Sequence, residues 1–150
     1  MDKYIPFPQA DDIEKIVSII NISNEDFLSN FDKMSNILGK ISQRQVSYYL
    51  SATAYFGIIE TKNRKKVFTK LGIYLKNLNY SMQIAEIITI ILGDPVFRKT
   101  YVFQKLYGER VIDDIELLIK EYHPECTNEV CHRRAQTVIS WVKWIIKKIN

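Results

Sequence analysis

Residues 42–69 read SQRQVSYYLSATAYFGIIETKNRKKVFT, and this stretch decides the fold. Wound at about 100° per residue, Ser42 to Phe56 separates into two faces. Val46, Tyr49, Leu50 and Thr53 share one; Arg44, Ser47, Tyr48, Ser51 and Tyr55 share the other. Ser42 is placed to cap the free amides of the first turn, and Gln45, three residues on, completes a capping box. Beyond Gly57, β-branched and aromatic residues (Ile58, Ile59, Val67, Phe68) flank the polar run Thr61 to Lys65, the pattern of a hairpin. Its tip carries Lys62, Asn63, Arg64 and Lys65. The Asn63-Arg64 pair lacks the glycine that a two-residue turn prefers, which favours a longer loop. Thr69 is placed to cap a short helix from Lys70 to Asn77.

Upstream, Ile13, Ile16, Val17 and Ile20 follow the i, i+3, i+4, i+7 spacing of an amphipathic helix. Asn21 to Asn24 predicts a turn, and Glu25 to Leu38 one helix or two short ones ended by Gly39. Helix, helix, capped helix, basic hairpin is the order of a winged helix-turn-helix. In that arrangement the third helix enters the major groove and cations on the wing neutralise flanking phosphates.

Downstream, Ser81 to Leu92 predicts an apolar helix closed by Gly93. Asp94-Pro95 restarts the chain with a cap and a proline at the first helical position. The next helix spans Val96 to Tyr107, with Val96, Thr100, Phe103 and Tyr107 along one stripe and Gly108 as its stop. Ile112 to Tyr122 predicts another, interrupted at His123-Pro124-Glu125, and Thr127 is placed to cap a long closing helix. On that helix Val130, Val138, Trp141, Val142, Ile145, Ile146 and Ile149 share one face, and His132, Arg133, Gln136, Ser140, Lys143 and Lys147 the other. Arg134 falls inside the apolar arc, as a half-buried ion-pair partner or a side chain snorkelling outward. This half is expected to be a second helix-turn-helix without a wing; a generic helical subdomain with a solvated basic face is its alternative. The expected fold is mainly α, with tandem helix-turn-helix units, the first winged by a short β-hairpin. Residues 1–79 form the first unit, and 80–150 the second, packed against it.

Composition agrees with a folded chain. Of 150 residues, 47% are hydrophobic and 25% charged, enough to bury a core and inconsistent with disorder. Two cysteines exclude a disulfide-stapled scaffold. Apolar runs such as Ile84 to Leu92 fall short of a membrane span, and Met1 to Pro6 lack the layout of a signal peptide. A soluble, cytoplasmic protein without a membrane partner is expected. The net charge of +4 is unevenly spread. Residues 1–60 balance at −3, 61–80 at +6, 81–125 at −3 and 126–150 at +4. Binding a phosphate backbone needs such local concentrations more than a high total, although short basic blocks also serve as ordinary solvated faces.

Catalytic and metal signatures are absent from the sequence. His123, Cys126, Cys131 and His132 offer four zinc-ligand types within ten residues, but Cys131 and His132 are consecutive on a predicted helix and point about 100° apart. Glu60-Thr61-Lys62 matches half of a metal-dependent nuclease motif but lies in the hairpin without a preceding strand aspartate. No phosphate-binding loop or nucleophile elbow occurs. No catalytic residue, metal or cofactor is expected.

The run from Gln43 to Ile59 is similar to the "RQ-x-x-YY-x-x-A-x-x-(L/F)-G" recognition-helix motif of winged-helix domains that accompany prokaryotic restriction endonucleases and defence proteins. Phe68-Thr69-Lys70-Leu71-Gly72 resembles the "LT-x-x-G" that ends their wing, and Arg133 to Trp144 resembles their "RR-x-x-T-x-x-x-W-x-x-W" segment. The resemblance implies a tandem DNA-recognition module serving restriction-modification or transcription regulation. Its partners would be double-stranded DNA and a nuclease or regulatory protein on another chain. By helical face, Arg44, Ser47, Tyr48 and Ser51 are expected to meet the major groove, Lys62, Arg64 and Lys65 the phosphates, and Arg133, Gln136 and Lys143 a second stretch of DNA. The resemblance adds Gln45, Arg134 and Thr137 to these contacts; Tyr49, which shares its motif, points to the core. The rival is a winged-helix adaptor that binds protein through Tyr48 and Tyr55.

Overall fold

The computed structural model describes residues 5–150, so the reading of Met1 to Pro6 lies mostly outside the described residues. Asp12 accepts a hydrogen bond from the Glu14 N–H at 2.9 Å and starts α1 (Ile13–Ile20), whose isoleucines 13, 16, 19 and 20 are buried with Val17. The segment from Glu25 to Leu38 divides in two because asparagines cap it twice. Asn24 caps a 3-10 turn (Glu25–Ser29), and Asn30, itself extended, caps α2 (Phe31–Ile37). Gly39 and Lys40, both left-handed at φ 90° and 62°, end α2.

Ser42 accepts from the Gln45 N–H at 3.2 Å to start α3 (Gln43–Tyr55). Val46, Tyr49, Leu50, Ala52 and Thr53 form its buried side, against α1 and α2. The Asp12 N–H donates to the Tyr49 hydroxyl at 3.1 Å, and burial pushes that phenol above its ordinary pKa. β1 (Ile59–Lys62) and β2 (Lys65–Phe68) pair antiparallel, with Ile59 opposite Phe68 and Lys62 opposite Lys65. The expected longer loop is therefore corrected to a two-residue turn. Pairing the two apolar residues on the buried side fixes the register and leaves only Asn63 and Arg64 to connect the strands. Both are left-handed, at φ 50° and 65°, the backbone whose twist matches a hairpin. Ser29 accepts from the Lys66 N–H at 3.0 Å, occupying a backbone donor of β2. Thr69 accepts from the Gly72 N–H at 3.1 Å and starts α4 (Lys70–Lys76).

α5 (Tyr80–Leu92) contains the division between two compact units, Met1–Ile84 and Ala85–Asn150. The division falls beyond the break expected at residue 79 because Gln83 fastens the first turn of α5 to the first unit. Gln83 and Asn21 exchange amide hydrogen bonds at 2.9 Å each, and Gln83 also donates to the Leu75 carbonyl at 3.0 Å.

In the second unit Asp94 accepts from the Val96 N–H at 2.9 Å, with Pro95 at the first position of α6 (Pro95–Tyr107). Of the stripe Val96, Thr100, Phe103 and Tyr107, the first two are buried, whereas Tyr107, in the last turn before Gly108 (φ 95°), is 75% exposed. α7 (Ile112–Tyr122) and α8 (Asn128–Ile149) pack on each other and on α6. Trp141 of α8, fully buried, stacks on Phe97 with ring centroids 5.1 Å apart. Thr127 holds the cap position of α8, but its side chain makes no capping hydrogen bond. The buried Cys126 and Cys131, just before the cap and in the first turns, instead occupy the positions of a hydrophobic staple. Burial, reinforced by a hydrogen bond with Cys126, pushes the Cys131 thiol up to about 12. The chain is thus mainly α-helical with one short hairpin among the described residues.

Candidate nucleic-acid interface

In the first unit the outer side of α3 and the hairpin flank one groove of about 860 Å³. Ser47 and Ser51 stand on its α3 wall, with Gln43 beside them; Thr61 and Lys66 stand on the hairpin wall. Its floor is apolar, with Leu28, Met34, Val46, Leu50 and Ile59. Arg44, Gln45 and Ser47 are exposed and Tyr48 and Ser51 half-buried, so all five expected α3 residues reach the surface. Arg44 and Tyr48 form a pair: the Arg44 Nε–H donates to the Tyr48 hydroxyl at 2.6 Å, and the guanidinium lies 5.5 Å from the ring centroid.

The hairpin presents Lys62, Arg64 and Lys65, all exposed. Lys62 is paired with Glu60 at 3.2 Å, an exposed contact worth under about 1 kcal/mol and easily exchanged for a phosphate. Arg64 and Lys65 have no ion-pair partner among the described residues. Lys66 and Thr61 were absent from the expected set. Strand alternation could have found them, because they sit opposite each other two residues from the buried Ile59–Phe68 pair and so face the same side.

In the second unit Arg133, Gln136 and Lys143 are exposed along α8. Lys143 pairs with Glu109 at 3.0 Å, again between exposed groups. Two expected contacts are corrected. Arg134 is 8% exposed and Thr137 is fully buried, so neither can reach a duplex. Among the described residues Arg134 has no ion-pair partner and its Nε no hydrogen-bond partner, and it does not snorkel; its Nη1 donates to the Cys126 sulfur at 3.3 Å. The cause is the width of the buried arc of α8, which is covered by both α6 and α7. Tyr55, placed with the exposed tyrosines by helical count, is half-buried and meets Phe7 and Phe56 edge-on at 5.7 and 5.0 Å.

His132 Nδ1 lies 2.7 Å from Glu116 and His123 Nδ1 3.7 Å from Glu125, so the two imidazoles are engaged with carboxylates while both cysteines are buried. Among the described residues no three potential metal ligands converge. No single helix among them is long and apolar enough to cross a membrane.

The family described as "Domain of unknown function (DUF7226)" matches residues 8–150, and the chain belongs to it. No curated protein and no solved structure matches the chain.

Proposed function

We propose that this member of the DUF7226 family is a sequence-preferring double-stranded DNA-binding module rather than an enzyme, reading bases with α3 and holding phosphates with the β1–β2 hairpin. The observation that carries the reading is Arg64. A non-glycine residue in the left-handed region costs about 1–3 kcal/mol, and such strain persists where a side chain is needed. Arg64 accepts it at an exposed tip, beside Lys65, in a turn where glycine would fit better. Neither cation meets a carboxylate of the described residues. Their environment supports a role toward an external anion, and the helix beside them offers Arg44, Gln45, Ser47 and Ser51 for the bases between the phosphates, with Tyr48 set against Arg44. Arg133, Gln136 and Lys143 of α8 supply a second cationic stripe. A cytoplasmic location and a role in restriction-modification or transcription regulation, with a nuclease or regulatory protein as partner, extend this reading. They draw on the motifs of residues 43–59 and 68–72. The motif of residues 133–144 supports them less, because Arg134 and Thr137 are core residues.

Fluorescence polarisation on labelled duplexes over a salt series tests the reading. Binding is expected at low salt and to weaken steeply as salt rises. Arg64→Ala with Lys65→Ala should weaken all sequences alike and flatten the slope by roughly 1.8 counterions, about 0.9 for each of the two phosphates no longer neutralised. Arg64→Gly separates strain from charge: the hairpin gains about 0.5–1 kcal/mol in thermal unfolding while DNA affinity falls. No binding at low salt would end the proposal.

A second reading, a protein–protein adaptor, is favoured by the apolar floor of the groove, which a peptide side chain could fill. Salt dependence divides the two, since an apolar contact changes little with ionic strength.

A further inference from the structure

We infer that Tyr48 is a positioning residue that presents the guanidinium of Arg44 to a guanine in the major groove, so that the preferred duplex contains a G·C pair read through N7 and O6. The inference rests on the DNA-binding reading above and adds the base and the residue that orients the reader.

Arg44 and Tyr48 lie one turn apart on α3, close enough for their side chains to meet. An exposed arginine carries about 2 kcal/mol of rotamer entropy that must be lost on binding. Here much of that ordering is already done. The Nε–H is committed to the Tyr48 hydroxyl at 2.6 Å, and the guanidinium carbon is 5.5 Å from the ring centroid. Among the described residues Arg44 has no carboxylate partner. With Nε taken, the remaining donors are on Nη1 and Nη2, a planar fork that suits two acceptors side by side. On the major-groove edge guanine alone offers two acceptors, N7 and O6; adenine and cytosine each present a donor, and thymine one acceptor beside a methyl group. A phosphate also accepts such a fork. The base is favoured by the neighbours of the pair, because Ser47 and Ser51 on the adjoining stripe are small and let the helix axis approach the groove floor.

The test begins with selection from a pool of random duplexes, using the full chain. A guanine is expected at one position of the recovered site. Replacing it by 7-deazaguanine, which deletes only the N7 acceptor, should lower wild-type affinity by roughly tenfold, within the range of a bidentate base contact. Arg44→Ala, which removes every donor, should abolish the preference for guanine there and become insensitive to 7-deazaguanine. Tyr48→Phe, which keeps the ring and deletes the hydroxyl, should lose several-fold in affinity for the guanine duplex. Its affinity for the same duplex with A·T at that position, its salt slope and its unfolding temperature should remain unchanged. The double variant should lose no more than Arg44→Ala alone, because the tyrosine acts only through the arginine. A recovered site without guanine, no effect of 7-deazaguanine, or equal losses by Tyr48→Phe on both duplexes would overturn the inference and leave DNA binding standing. Failure to retain any duplex at low salt would remove both.

Discussion

Gly72→Ala is expected to lower the stability of the first unit by roughly 3 kcal/mol, the upper end of what overpacking costs. A β-carbon on Gly72 would stand 2.2 Å from the Ile58 carbonyl oxygen and 3.0 Å from the Phe68 ring. The oxygen belongs to the backbone, so no rotamer change relieves the clash; α4 or the root of the hairpin must move. Against this, alanine improves an exposed helix interior by only about 1 kcal/mol over glycine. Two hydrogen bonds would be disturbed together, because Ile58 accepts from the Thr69 N–H at 3.0 Å and the adjoining Gly57 carbonyl from the Thr69 hydroxyl at 2.5 Å. The substitution should therefore unseat β1 and β2 as well as α4. Thermal unfolding should show a midpoint lower by about 10 °C or more. Hydrogen exchange should accelerate at Ile59 and Phe68 before it does in α1. An unchanged midpoint would mean that α4 does not approach the hairpin as described. If binding depends on the hairpin, DNA affinity should fall in step with hairpin protection, a coupling that a defect confined to α4 would not produce.

Trp141→Ala is expected to cost about 3–5 kcal/mol in the second unit. The indole is fully buried and stacked on Phe97 at 5.1 Å with the planes 23° apart, an arrangement worth roughly 0.5–1.5 kcal/mol beyond its buried area. Trp141→Phe, which keeps a ring against Phe97, should recover more than half of the loss. Near-ultraviolet circular dichroism and thermal unfolding read the effect, and a midpoint within a degree or two of the parent would contradict it. The result bears on function. Trp141 belongs to the stretch from Arg133 to Trp144 whose resemblance to a DNA-recognition segment includes Arg134 and Thr137. With those three inside, the stretch is first a packing pattern, and Arg133, Gln136 and Lys143 are its exposed residues.

The division between legible and illegible follows from what a helical count contains. The count gives the direction of a side chain about its own axis, so both faces of α3 and the burial of Tyr49 were readable. It does not say how many neighbours cover a helix. α8 touches both α6 and α7, which widens its buried arc past its aliphatic residues and takes in Arg134 and Thr137. Tyr55 shows the same effect on α3, where its outward direction meets Phe7 from a segment distant in sequence. The hairpin was readable from β-branched residues around a polar run, but its turn was not. Local preference disfavours Arg64 there, and the pairing of Ile59 with Phe68 overrides it. Lys66 is legible as charge but not as geometry, since a four-residue strand gives alternation little room to declare itself.

The two cysteines at the start of α8 give the second unit an internal clock. Both thiols are buried, and Arg134 reaches over Cys126. An alkylating reagent can reach them only after the first turns of α8 leave their seat, so its rate of uptake counts those openings. The first unit contains no cysteine and contributes nothing to that count. Fraying of the closing helix can therefore be timed in the intact chain while the hairpin goes on holding whatever it holds.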